Sequence, residues 1–122
     1  MVKLILLVRR KPGTDRKAFQ RYYEFTHAPL ASSVMRQCKK YVRNFVSEEL
    51  SGPLDFDVIT EFWFDADGPW EEAQRNLSDP GIQQLLEDDE LRFMDRSSMR
   101  VFTVDECESD PGQLLGNLAS TV

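Results

Sequence analysis

Apolar residues run without a break from Leu4 to Val8. The Val2–Arg10 run around them has strand length and no clean alternation, which predicts a strand covered on both faces. Pro12-Gly13 ends it, and Thr14 or Asp15 is poised to cap a helix by accepting from first-turn N–H groups. That helix carries Ala18, Phe19, Tyr22, Tyr23, Phe25, Thr26 and Leu30 at three- and four-residue spacings, one broad apolar face. Pro29 disfavours helical geometry at Ala28, so the helix is expected to stop at or just after His27.

Ala31 to Lys39 reads as an irregular or weakly helical connection. Lys40 to Ser47 alternates as a strand, Leu50-Ser51-Gly52-Pro53 is a turn cluster, and Asp57 to Phe64 has the β-branched and aromatic content of a second strand. A short loop between them predicts an antiparallel hairpin. Glu61 shares a face with Ile59 and Trp63, which suits a carboxylate only where that face meets water, a partner or a cavity. It is also positioned to pair with Arg43 across the hairpin or with an arginine of a second subunit.

Asp67-Gly68-Pro69-Trp70-Glu71-Glu72 supplies a capping residue, a first-turn proline and two acids that complement the helix dipole, predicting a helix to about Leu77. Ser78-Asp79-Pro80 restarts it. Ile82, Leu85 and Leu86 make a short apolar face, and Glu87-Asp88-Asp89-Glu90 reads as solvated. The last strand is expected over Ser98 to Val104. The order strand, helix, strand, strand, helix, strand predicts an α+β fold, a ferredoxin-like βαββαβ with a four-stranded antiparallel sheet and helices on one face. Apolar residues on the bare face call for a two-fold homodimer.

The chain of 122 residues fits one domain, and its net charge of -6 disfavours nucleic acid and anionic membrane surfaces as partners. A small, neutral, fairly apolar ligand suits that field better. No window approaches the roughly 18 apolar residues of a membrane span. The N-terminal run is too short for a signal peptide and is followed by Arg9, Arg10 and Lys11, so a cytoplasmic protein is expected. Cys38 and Cys107 stand far apart without neighbouring ligands and read as reduced thiols, not as a disulfide or metal pair. No phosphate loop, nucleophile elbow or metal set is visible, so neither metal nor cofactor is expected.

His27 is the only histidine. With an ordinary pKa of about 6.5 it is the natural carrier of acid-base chemistry near neutrality. A helix-terminal imidazole also interacts favourably with the dipole and the last carbonyls, which would make His27 purely structural. Asp95, just before the last strand, reads equally as a turn residue.

The segments Leu7-Val8-Arg9-Arg10-Lys11-Pro12-Gly13, Phe19-Gln20-Arg21-Tyr22-Tyr23-Glu24 and His27-Ala28-Pro29-Leu30 resemble the EthD-domain proteins of the dimeric α+β barrel group. Lys40-Tyr41-Val42-Arg43-Asn44, Glu61-Phe62-Trp63-Phe64-Asp65 and Glu90-Leu91-Arg92-Phe93-Met94-Asp95 follow in the family's order. The resemblance covers residues 1–106 as an EthD-like domain and leaves 107–122 as an acidic, small-residue tail, expected to be partly disordered or to pack across a neighbour.

That resemblance implies a homodimeric α+β barrel with a small pocket in each protomer. Family members include cofactor-free dehydratases, decarboxylases and isomerases or cyclases acting on polyketide-like and aromatic carbonyl compounds in secondary metabolism. Others are non-catalytic accessory proteins of oxygenase systems. By the same resemblance His27 and Asp95 form the acid-base pair, and Tyr22, Tyr23, Tyr41, Glu61, Trp63 and Phe93 line the substrate pocket.

Overall fold

A computed structural model describes residues 1–121 of the chain. Strands β1 (Val2–Arg10), β2 (Lys40–Phe45), β3 (Val58–Phe64) and β4 (Met94–Val104) form one antiparallel sheet in the order β2-β3-β1-β4. The apolar β1 sits in the interior of this sheet, bonded to β3 on one side and β4 on the other. The last strand begins four residues before the expected Ser98. Its register shifts between Leu7 and Arg9, and Arg9 N–H there donates to Ser98 Oγ at 2.8 Å.

Helices α1 (Arg16–Tyr22), α2 (Ala28–Val34), α3 (Pro69–Leu77) and α4 (Pro80–Glu90) accompany the sheet. Asp15 caps α1 through Ala18 N–H at 2.7 Å, and Asp79 caps α4 through Ile82 N–H at 3.0 Å. Helix α3 instead starts at Gly68, whose φ of 79° suits a residue without a side chain, so Asp67 is not its cap. The tail contains a further helix, α5 (Pro111–Thr121), whose start is stabilised by Asp110 Oδ1 accepting from Gly112 and Gln113 N–H. Asp110-Pro111 repeats the start signal of Asp79-Pro80.

The first helix does not stop at His27. A wide π turn over Tyr23–His27 joins α1 to α2, with Ala28 N–H bonded five residues back to the Tyr23 carbonyl. Proline has no N–H to give to the carbonyl four residues before it, and its ring crowds that carbonyl. The wide turn accommodates Pro29, and the helix continues to Val34. It also corrects the phase. Buried Phe19, Tyr23, His27, Ala31 and Met35 recur every fourth residue, a spacing that drifts by about 40° per step on a helix of 3.6 residues per turn. One wider turn reverses part of that drift and keeps all five side chains on the sheet. Phe25, counted in the expected apolar face, is 79 % exposed.

The core lies between sheet and helices. One cluster joins Val8, Phe19, Tyr23, Val58 and Phe93; another joins Leu4, Phe62, Phe64 and Ala73. On the other face, cross-strand pairs set Lys3 beside Trp63, Ile5 beside Glu61 and Phe102, and Leu7 beside Ile59. Phe102 and Val104 stay exposed there at 41 % and 37 %.

The phase correction has a measurable consequence. Phe19→Ala should lower unfolding free energy in urea by about 3–5 kcal/mol, whereas Phe25→Ala should change it by no more than about 0.5 kcal/mol. Similar losses for both would mean that the helix faces the sheet in another phase.

Candidate active site

His27 leaves the π turn with its ring 4 % exposed, packed at centroid distances of 5.4 Å from Tyr23 and 5.0 Å from Phe93. A buried ring N–H needs an acceptor. His27 Nδ1 finds it at Asp89 Oδ2, 2.8 Å away, and Tyr22 Oη donates to the other oxygen of the same carboxylate at 2.6 Å. Because a carboxylate only accepts, the neutral imidazole carries its proton on Nδ1 and leaves the Nε2 lone pair unoccupied. Burial lowers the His27 pKa below the ordinary value and outweighs the opposing pull of Asp89, so the ring is neutral at pH 7.

His27 lines a cavity of about 320 Å³ between sheet and helices. Leu4, Leu6, Phe62, Met94 and Met99 form its sheet wall, and Ala31, Met35, Leu77 and Leu86 form its helical wall. The polar residues of its lining, besides His27, are Tyr23, Gln83, Glu87, Glu90 and Arg96. Such a mostly apolar hollow with a few converging polar groups is the usual form of a small-molecule site. A larger hollow of about 500 Å³ lies beside Lys3, Trp63, Val104 and the exposed acids Asp105, Glu106 and Glu108. It has neither a histidine nor a buried acid in its wall.

The expected pairing of His27 with Asp95 is not what the structure forms. Asp95 Oδ1 accepts from the N–H and hydroxyl of Ser97 at 3.2 and 2.5 Å, a local turn, and Asp95 is absent from the cavity wall. The carboxylate on the imidazole is Asp89. Of the residues expected to line the pocket, only Tyr23 does so. Its hydroxyl is engaged with Thr60 Oγ1 at 2.7 Å, and Tyr41 donates to it at 3.4 Å. Tyr22 and Phe93 stand behind His27, holding Asp89 and packing on the imidazole.

Glu61 and Trp63 lie on the opposite sheet face. Glu61 takes Lys3 Nζ at 3.1 Å, Asn44 Nδ2 at 2.7 Å and Trp63 Nε1 at 3.1 Å. Burial alone would raise its pKa, but these donors outweigh it and hold the carboxyl below the ordinary range. Arg43 pairs instead with Glu24 through two bonds of 2.8 and 3.0 Å.

The acids expected to be a solvated face contribute most to the site. Glu90 is 8 % exposed and bonded to Arg96 Nε at 3.1 Å, while Arg96 Nη1 reaches Glu87 at 3.2 Å. Burial raises the Glu90 pKa above the ordinary value against the pull of Arg96. The signal was spacing: Asp89 and Glu90 fall seven and eight residues after Ile82, on the same helical face as Ile82 and Leu86.

The buried neutral imidazole links to stability. An unfolded His27 binds its proton near pH 6.5, the folded one only at lower pH, so the unfolded state holds more protons in between. Its contribution is complete above the unfolded pKa and is lost as pH falls towards the folded one. Urea unfolding from pH 7.5 to 5 should therefore give wild type a steeper loss of stability than His27→Gln; parallel curves would contradict a depressed pKa. Glu90 acts in the opposite sense in both proteins, so the difference reports His27.

Comparison with known proteins agrees with this architecture. The EthD domain family model matches residues 11–97, which run from the turn after β1 through every helix around the cavity to the start of β4. The conidial pigment biosynthesis dehydratase EthD of Metarhizium robertsii is 29 % identical, with 75 % of this chain and 74 % of that protein covered. An EthD family protein of Bacillus halodurans superposes with a TM-score of 0.63 at 19 % identity, covering 88 % of this chain and 100 % of the other. A protein of Thermobifida fusca described as dimeric and ferredoxin-like gives 0.59 at 10 % identity, over 86 % of this chain and 90 % of that one. Among the described residues no helix is long and apolar enough to cross a membrane. With a match over most of its length and the fold to accompany it, the chain belongs to the EthD domain family.

Proposed function

We propose that this chain is a dehydratase-type lyase that removes water from a β-hydroxy carbonyl compound fused to an aromatic ring, a polyketide-like substrate, without a cofactor. The observation that carries this reading is the buried, neutral His27, bound through Nδ1 to Asp89 in the wall of a mostly apolar cavity. Its Nε2 is a base that removes a proton beside a carbonyl. Asp89 fixes the ring and stabilises the imidazolium that forms, as a buried carboxylate does for a general-base histidine. The apolar walls suit the ring system. The polar edge made by Gln83, Glu87, Glu90 and Arg96 suits its oxygens.

The pigment-pathway dehydratase of M. robertsii supports the reaction class, since that relative is named for loss of water. The reading includes a homodimer closed through the sheet face that carries Ile5, Leu7, Ile59, Phe102 and Val104, with residues 1–106 as the domain. The dimeric description of the T. fusca neighbour supports it.

The test is turnover. His27→Ala should lower kcat for dehydration of an aromatic-fused β-hydroxy ketone by about 100- to 10,000-fold, with product followed by mass spectrometry. Asp89→Asn should give a smaller loss with substrate binding retained. Unchanged turnover in His27→Ala, with the fold intact by circular dichroism, would remove His27 from the reaction.

A further inference from the structure

We infer that Glu90 is the proton donor of this site, giving its proton to the departing hydroxyl while His27 takes one from carbon. The inference rests on the lyase reading above and adds to it the second half of the chemistry. Base removal of a carbon-bound proton produces an enolate, but hydroxide leaves poorly from it. A positioned acid converts the leaving group to water.

The geometry singles out one carboxyl. Glu90 ends α4 one residue after Asp89, so the group that orients the base and the acid itself are fixed by the same helix end. Glu90 is buried and shares the cavity wall with His27. Glu87 also lines the cavity, but its side chain is 41 % exposed against 10 % for Glu90, and the remaining candidates are occupied or elsewhere. The Tyr23 hydroxyl is held between Thr60 and Tyr41, Asp95 is closed on Ser97, and Glu61 lies across the sheet.

The surroundings fit both states of a donor. Arg96 of β4 holds one Glu90 oxygen, and Glu87 shares that guanidinium. With Glu90 protonated, Glu87 still balances Arg96; once Glu90 has given up its proton, Arg96 stabilises the carboxylate. The other groups of the site with titratable protons are Asp89 on the same helix and His27 and Tyr23 on the π turn. Burial keeps the Glu90 proton bound to higher pH than in a solvated glutamate.

In the reaction His27 Nε2 takes the proton from the carbon between carbonyl and carbinol. The C–H electron pair forms the enolate and then the carbon–carbon double bond. The C–O bond breaks with its pair on oxygen, and that oxygen takes the Glu90 proton and leaves as water. His27 is left as imidazolium and Glu90 as carboxylate, and one proton passed between them through solvent restores the site. No oxidant or reductant is involved.

The experiment uses the full chain with β-hydroxytetralone and its acetate ester as probes, in water and in deuterium oxide. Loss of water gives naphthol, read by absorbance. Deuterium uptake beside the carbonyl, read by NMR, reports His27 alone, and acetate leaves without needing a proton. Glu90→Gln should lose water about 100-fold or more slowly, yet keep deuterium uptake and acetate loss within about threefold of wild type. Those retained rates also show that the variant is folded. Water loss at the wild-type rate, or equal loss of all three rates, would overturn the role of Glu90 and leave that of His27 standing. Wild type that neither takes up deuterium nor eliminates would overturn both.

Discussion

The hydrogen bond between His27 and Asp89 ties the two halves of the βαββαβ fold together at the point where chemistry is possible. His27 comes from the first helical segment and Asp89 from α4, 62 residues apart, and their 2.8 Å contact is made in a setting that excludes most water. An imidazole in that setting is costly if its N–H has no acceptor and costly if it carries charge. Asp89 meets the first demand, and burial by Tyr23 and Phe93 keeps the ring neutral. Tyr22 then holds the second oxygen of Asp89, so the carboxylate cannot swing away without breaking another bond.

That contact depends on the π turn. An unbroken α-helix would carry a four-residue repeat progressively off the sheet, and Pro29 would leave the Phe25 carbonyl crowded and unpaired. The wide turn resolves both problems at once, which explains why a proline is tolerated in mid-helix two residues after His27. The same turn leaves Phe25 pointing to solvent.

Much of the fold was legible in the sequence because its signals are local. The unbroken Leu4–Val8 run marked an interior strand, and Asp15, Gly68-Pro69 and Asp79-Pro80 marked the helix starts. The ferredoxin-like order followed from those elements alone. The site was half legible. His27 stood out by chemistry, but the identity of its partner is a property of tertiary packing, and carrying over Asp95 gave the wrong carboxylate. Asp89 and Glu90 were hidden in an acidic run that reads as solvated, although their phase relative to Ile82 and Leu86 turns them inward. Glu61 and Trp63 were correctly seen as sharing a face, yet alternation by itself cannot say which side of a sheet the helices cover. The helix α5 was missed because the acidic, small-residue composition of 107–122 was read as a tail, although Asp110-Pro111 repeats the Asp79-Pro80 start signal.

In the proposed reaction, the apolar wall receives a ring system, and labour is divided between His27, held by Asp89, as base and Glu90, held by Arg96, as acid. Two titratable groups are pushed in opposite directions by the same burial, His27 downward and Glu90 upward, the directions that suit a base and a proton donor sharing one cavity. Everything in that account requires an unprotonated His27 Nε2. Long-range nitrogen–proton correlation NMR of the imidazole at pH 7 measures it directly. A neutral ring with the proton on Nδ1 and a bare Nε2 is expected; an imidazolium, or a proton on Nε2, would contradict the proposed chemistry.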